Sequence, residues 1–238
     1  MDYKRILKFC ILHFIFCSLI LFPLLAFAGI EGSKHDLSVS GPGTVKAVTE
    51  TGVCIFCHTP HNADPAIPLW NHDLSPVVKY TNYWSDTLKS YASEADAPLI
   101  DGFSKLCLSC HDGTVAIGAT IKEIISVSPS KLVEGQPGYI GTNLSGGHPV
   151  SIVFDARLVG ERQKDPGIMQ LNWPIVDHYV KLYPTQDGYG VQCTSCHDPH
   201  TNRTTETKDG NPWPPFWQKA TYDDVCLVCH NAAPPIGH

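Results

Sequence analysis

Apolar residues run almost unbroken from Phe9 to Ala28 (FCILHFIFCSLILFPLLAFA), behind a basic opening of Lys4, Arg5 and Lys8. The run closes on Ala26-Phe27-Ala28 before Gly29. A basic start, a long apolar centre and an A-x-A ending predict a secretory signal peptide over residues 1–28, cleaved after Ala28. A retained membrane anchor is the rival reading, because the run is long for a signal. Pro23 and the small-residue finish favour cleavage, and Phe16 disfavours a lipid anchor on Cys17, where a small residue should precede. No later stretch is long and apolar enough to span a bilayer, so the exported chain is expected to be soluble.

Beyond residue 28 neither a helical nor a strand period persists. The best candidates for short strands or helices are 121–128 (IKEIISVS) and 175–183 (IVDHYVKLY). Glycine and proline number 19 each in the full chain, and pieces such as NPWPPFW at 211–217 predict irregular backbone. The expected fold is mostly irregular coil with short helices and few strands. A division near residue 130, in SPSKLVEGQPG, separates residues 29–130 from 131–238, two halves of one continuous unit.

Charge narrows the partners. The full chain carries a formal charge of −6. Without residues 1–28, which hold Lys4, Arg5, Lys8 and Asp2, 14 Lys plus Arg face 22 Asp plus Glu, a charge of −8. An acidic balance predicts no nucleic-acid partner.

Cysteine spacing then changes the picture. Ten cysteines are present, and Cys10 and Cys17 lie in the predicted signal. The other eight form four C-x-x-C pairs: Cys54 with Cys57, Cys107 with Cys110, Cys193 with Cys196, and Cys226 with Cys229. Each pair is followed at once by a histidine: His58, His111, His197 and His230. One helical turn puts positions i, i+3 and i+4 on a shared face. That places two thiols to add to the two vinyl groups of a haem while the imidazole reaches the iron, the c-type attachment pattern. Zinc sites and disulfides also use C-x-x-C pairs. Four CxxCH units with no cysteine left over favour haem, so four covalently bound haem c groups are expected, with a short helical turn at each. Packed haems then supply much of the apolar core, and the fold is organised around a haem row. The aromatics, including Trp70, Trp84, Trp173, Trp213 and Trp217, are expected to pack on haem faces.

Electron-transfer haems take a second axial ligand, commonly Met or His. Past residue 28 the chain has one methionine, Met169, and seven histidines outside the motifs: His35, His61, His72, His148, His178, His200 and His238. Bis-histidine, low-spin ligation follows, with low potentials because methionine would raise them. An internal repeat selects four candidates. His35, CIFCHTPH and CLSCH in the first half answer to His148, CTSCHDPH and CLVCH in the second. Pro60 and Pro199 break the turn just before His61 and His200, directing these side chains to a neighbouring haem. The expected assignments are His61 to the haem of Cys107 and Cys110, and His200 to that of Cys226 and Cys229. His35 and His148 then serve the first and third haems. His72 follows PLWN, partly echoed by PFWQK, but the echo puts Lys219 in its place, so it ranks behind the four.

With KHDLS, VCIFCHTPHNA, PLWN, GGHPVS, VQCTSCHDPH and CLVCH in view, the chain resembles the multihaem cytochromes of metal-reducing bacteria, most nearly the tetrahaem extracellular filaments of the OmcE type. The resemblance implies a homopolymer with haems stacked in a continuous row. It implies electron delivery from periplasmic or outer-membrane cytochromes to extracellular acceptors such as metal oxides. It also implies that a histidine of one subunit can complete a haem of the next, with His35 as the candidate. No enzymatic activity is expected. The alternatives are a monomeric periplasmic shuttle and, from another class, a multihaem reductase with one open haem.

Overall fold

The computed structural model describes residues 29–63, 69–203, 207–208 and 210–231. The predicted signal peptide, residues 1–28, lies outside them, as does His238. Among the described residues no helix is long and apolar enough to cross a membrane.

Helix formation is confined to four short stretches with local start signals. Helix α1 spans Gly102–His111 after Asp101, which is extended. Helix α2, Ala156–Gln163, is capped by Asp155, whose carboxylate accepts from the Leu158 amide at 2.8 Å. Helix α3 is one turn, Cys193–Cys196, closed by a reciprocal capping box between Gln192 and Ser195. Helix α4, Tyr222–Cys229, starts at Thr221, whose hydroxyl accepts from Asp224 N at 3.1 Å. Asp223 and Asp224 in its first turn suit the positive end of the helix dipole. Three of the four helices thus carry a CxxCH motif to their C-terminal ends.

Strands are equally brief. β1 (Lys46–Ala47) pairs antiparallel with β2 (Val127–Ser128). β3 (Ile152–Val153), β4 (Tyr183–Thr185) and β5 (Gly188–Val191) form an antiparallel sheet ordered β3-β5-β4. β6 (Thr207–Lys208) pairs with β7 (Asn211–Pro212). The mostly coil expectation therefore holds. The stretch 121–128 yields only β2, and 175–183 stays irregular until Tyr183 opens β4. Helix α2 was not anticipated. Its buried face is only Leu158, Val159 and Arg162, too narrow to raise a helical period among the charges around it.

The apolar interior is split into small clusters, where a chain of this length ordinarily builds one contiguous core. Ile152, Phe154, Leu158, Val159 and Val191 form the first, with Cys229 packed against it. Ala47, Phe56 and Ile125 form the second, against Cys57. Tyr80, Ile100 and Leu108 form the third. Phe56 and Leu108 are intervening residues of their CxxCH motifs and are 2% and 1% exposed. The second and third clusters thereby pin the first and second attachment segments through Phe56 and Leu108, and the first cluster meets the fourth segment at Cys229.

A buried polar latch joins the halves. Ser104 N donates to Gln192 Oε1 at 2.8 Å, Gln192 Nε2 donates to Asp101 Oδ1 at 2.8 Å, and Cys193 N donates to Ser104 Oγ at 3.0 Å. Gln192 and Ser104 are fully buried, so α1 and α3 dock through satisfied polar groups. Gly102, at φ +48°, lets the chain pass there, because a Cβ would stand 3.0 Å from Pro184 O.

Candidate haem-attachment site

Each attachment segment closes the same turn. His58 N donates to Cys54 O at 2.9 Å, His197 N to Cys193 O at 3.0 Å, and His230 N to Cys226 O at 2.9 Å. After that turn His197 and His230 leave the helix in extended conformation, at φ −119° and −109°. His111 instead remains the last residue of α1.

A short strap crosses three of the four proximal histidines. Trp70 bridges antiparallel to His58, Trp217 to His197 and Leu171 to His230. In the first strap Thr59 N donates to Leu69 O, and Asn71 N to Cys57 O, both at 2.9 Å. Asp198 N to Phe216 O and Gln218 N to Cys196 O repeat this at the third motif. Asn231 N to Gln170 O and Asn172 N to Cys229 O repeat it at the fourth. Leu69 and Phe216 even share positive φ, 67° and 61°. The PLWN and PFWQK echo in the sequence is thus one structural device. Its third copy, Gln170-Leu171-Asn172, precedes its motif by more than fifty residues, and its sequence carries too little likeness to have been found.

Among the described residues no disulfide joins the eight motif cysteines. Burial pushes Cys57 up to about 11, Cys110 and Cys196 up to about 12, and Cys229 up to about 11. Their secondary influences trace the neighbours. Cys110 senses Cys57, and Cys196 senses Cys229 and Cys226. The latch brings Cys107 and Cys193 into hydrogen-bonding contact, which raises the Cys107 thiol and lowers that of Cys193 to about 7. The motifs therefore follow one another in space in the order one, two, three, four.

The imidazoles form three couples, each of one motif histidine with one outside the motifs. His35 and His111 have ring centroids 6.0 Å apart, His58 and His200 5.9 Å, and His148 and His230 6.2 Å. These partners differ from the expected ones. His111 faces His35, not His61, and His230 faces His148, not His200. His200 instead crosses to His58 in the other half. Pro199 precedes His200, whose ring lies beside His58, and the sequence does not show which motif lies opposite.

His61 and His197 remain. His61 is exposed, and among the described residues no ring stands against it. His197 is exposed too, and the ring beside it is the Trp217 indole at 4.7 Å. His72 is 1% exposed, with Nδ1 2.8 Å from Asp73 O and Nε2 3.0 Å from Ala116 O, so both ring nitrogens are engaged by backbone. His178 is exposed and its ring packs edge-on to Tyr179.

The spacing tests what these rings can hold. A metal–imidazole bond of about 2 Å and a five-membered ring radius of about 1.1 Å put two centroids sharing one metal about 6.2 Å apart. All three couples match that value. His111 Nδ1 lies 2.6 Å from Gly138 O and His148 Nδ1 2.9 Å from Pro149 O, the orientation that leaves Nε2 for a metal. Edge-to-face contact between rings also falls near 6 Å. That alternative does not explain why every couple joins a motif histidine to a non-motif one. Among the described residues no cluster of three or more His, Cys, Asp or Glu converges on a point, so a zinc site is not assembled. Paired thiols on one face with an imidazole couple beyond them fit haem.

Residues 184–234 match the doubled CXXCH motif, which covers the third and fourth attachment segments. That pattern marks covalently bound c-type haem and indicates a multihaem c-type cytochrome. No curated protein sequence matches the chain.

Proposed function

We propose that this is a tetrahaem c-type cytochrome that passes electrons along a row of bis-histidine haems, and that copies join head to tail as an extracellular filament. Bound haem supplies a one-electron ferric–ferrous couple. The chain's own residues do the rest. The eight thiols anchor four porphyrins, and His58, His111, His197 and His230 provide the proximal imidazoles. His200, His35 and His148 complete the first, second and fourth sites. Nitrogen ligation on both sides holds potentials low, since methionine would raise them.

One observation carries the polymer: among the described residues His61, beside the first motif, and His197, of the third, are left without an imidazole partner. Each leading histidine serves the plain CxxCH of its own half, as His35 does His111 and His148 does His230. The trailing His200 serves the CxxCHxPH unit of the preceding half, at His58. Continuing that rule, the trailing His61 should serve a His197 preceding it, and the chain has none there. His61 of a second copy satisfies the rule, and the resulting contact is heterologous, so it propagates. His35 is engaged within its own chain, so His61 takes the bridging role in this reading. Upstream cytochromes and extracellular acceptors such as metal oxides are the partners proposed, with no reaction catalysed.

A second reading draws on the same open position. A haem at His197 lacking a sixth ligand could admit a small oxyanion, which would make the chain a reductase. The test is the spin state of secreted material before and after dissociation, with microscopy of both. Filaments with every haem low-spin, yielding subunits with one high-spin haem, support the conduit. Small particles with one high-spin haem throughout support the reductase, and small particles with four low-spin haems support a periplasmic shuttle.

A further inference from the structure

The three straps solve a hydrogen-bonding problem created at the proximal histidine. In a helix the carbonyl of the first intervening residue of CxxCH would accept from the amide four residues on. At three motifs that amide is taken by the strap. Thr59 N goes to Leu69 O, Asp198 N to Phe216 O and Asn231 N to Gln170 O. The carbonyls of Ile55, Thr194 and Leu227 are thereby orphaned at the end of the attachment turn, where an unmet group is costly. Each is met by a side-chain carboxamide. Asn71 Nδ2 donates to Ile55 O at 2.6 Å, Gln218 Nε2 to Thr194 O at 3.1 Å, and Asn172 Nδ2 to Leu227 O at 3.0 Å. At the second motif Asp112 N still reaches Leu108 O at 3.0 Å, the helix runs through His111, and no strap is present. Among the described residues the device occurs where the chain turns away after the motif and is missing where the helix continues through the histidine.

We infer that Asn71, Gln218 and Asn172 are positioning residues for the first, third and fourth haem sites, a role that rests on the haem reading above. By supplying the donor that the departing chain withdrew, each carboxamide holds its proximal histidine extended and fixes the ring's rotation about the axis toward the iron. Without it, the orphaned carbonyl pulls the following amide back into a helical bond and turns the imidazole. Ring rotation sets the g-values of a low-spin haem, so the role is readable apart from stability.

The experiment uses the full-length secreted chain with Asn71→Leu, Gln218→Leu and Asn172→Leu, which keep side-chain bulk and remove the donor. Asn71→Gln keeps the donor as Gln218 presents it. Asn82→Leu is the control, because Asn82 Nδ2 donates to Pro98 O at 2.7 Å away from any motif. Haem is counted per chain, and spin signals are resolved by electron paramagnetic resonance. Each Leu variant should retain the wild-type haem count and shift one low-spin signal, while Asn71→Gln and Asn82→Leu leave all signals in place. Unshifted signals in the Leu variants would overturn the inference, as would an equal shift in Asn82→Leu. If Asn71→Leu fails to mature, half-buried Asn172 decides, because His230 has its partner His148 within the chain. A wild-type chain without four haems defeats the parent reading instead, a result the haem count reports separately.

Discussion

His35→Ala should open one haem site in an isolated subunit, whereas His61→Ala should open none. The His35 ring stands 6.0 Å from that of His111, the separation one metal between two imidazoles requires. Alanine leaves no donor in its place, because the other ring packed on His35 is Phe216 at 4.3 Å. His200 cannot substitute without abandoning His58, 5.9 Å away. One ligand lost therefore exposes one iron in four, about a quarter of the haem. The wild-type subunit already has His197 without an imidazole partner among the described residues. Carbon monoxide binding, normalised to total haem, should thus rise from about a quarter in dissociated wild type to about a half in His35→Ala. In His61→Ala it should stay at about a quarter while filament assembly is lost. Equal binding by wild type and His35→Ala, or a rise in His61→Ala, would refute the couples read from the ring geometry.

Acid should destabilise the apoprotein in one pH window. Burial, reinforced by His111, lowers His35 to about 4, and burial, reinforced by His148, lowers His230 to about 4. The unfolded chain takes up these protons near 6.5, so stability is complete above that pH and falls until about pH 4, by up to about 3 kcal/mol per group before screening of the partly exposed rings. Denaturant midpoints that stay flat between pH 6.5 and 4 would contradict this. Gly113→Ala should cost about 2 kcal/mol or more in urea unfolding, since φ is +75° and the new Cβ would meet Leu132 O at 2.6 Å. Leu69→Gly should be neutral or stabilising by up to about 1 kcal/mol, because Leu69 is half exposed at φ 67°. Phe216→Gly, at φ 61°, should destabilise by about 1 kcal/mol or more, because its ring packs on His35.

The chemistry was legible because it is written in covalent spacing. CxxCH needs no tertiary information to bring Cys193, Cys196 and His197 onto one turn, and the structure forms that turn at each motif. The histidines were legible as candidates from the chain alone. Their pairing was not, because it depends on how the halves dock. The docking is decided by Gln192, Ser104 and Asp101, residues whose types announce nothing until the helices bearing them meet. The strap was half legible, since Trp70 and Trp217 marked two copies and Leu171 left the third without a mark. Across 175–182 the backbone stays irregular because Asp177 accepts from the amides of Tyr179 and Val180 at 2.9 Å, and only Tyr183 enters a strand.

The two halves, 29–130 and 131–238, are repeats in sequence but do not close their sites independently. His200 of the second stands at His58 of the first, and His35 of the first packs on Phe216 of the second. The Gln192 latch holds the second and third motifs together between these crossings, with the Cys107 and Cys193 sulfurs in contact. The step between halves is therefore set by buried, fully paired polar groups, which tolerate little displacement. The steps within halves rest on apolar clusters around Phe56, Leu108 and Leu158 and on the straps. The middle step spans the longest stretch of chain between motifs, Cys110 to Cys193, and the latch closes it across that stretch. In the proposed filament, docking a second copy through His61 would repeat between chains the crossing from His200 to His58 within one.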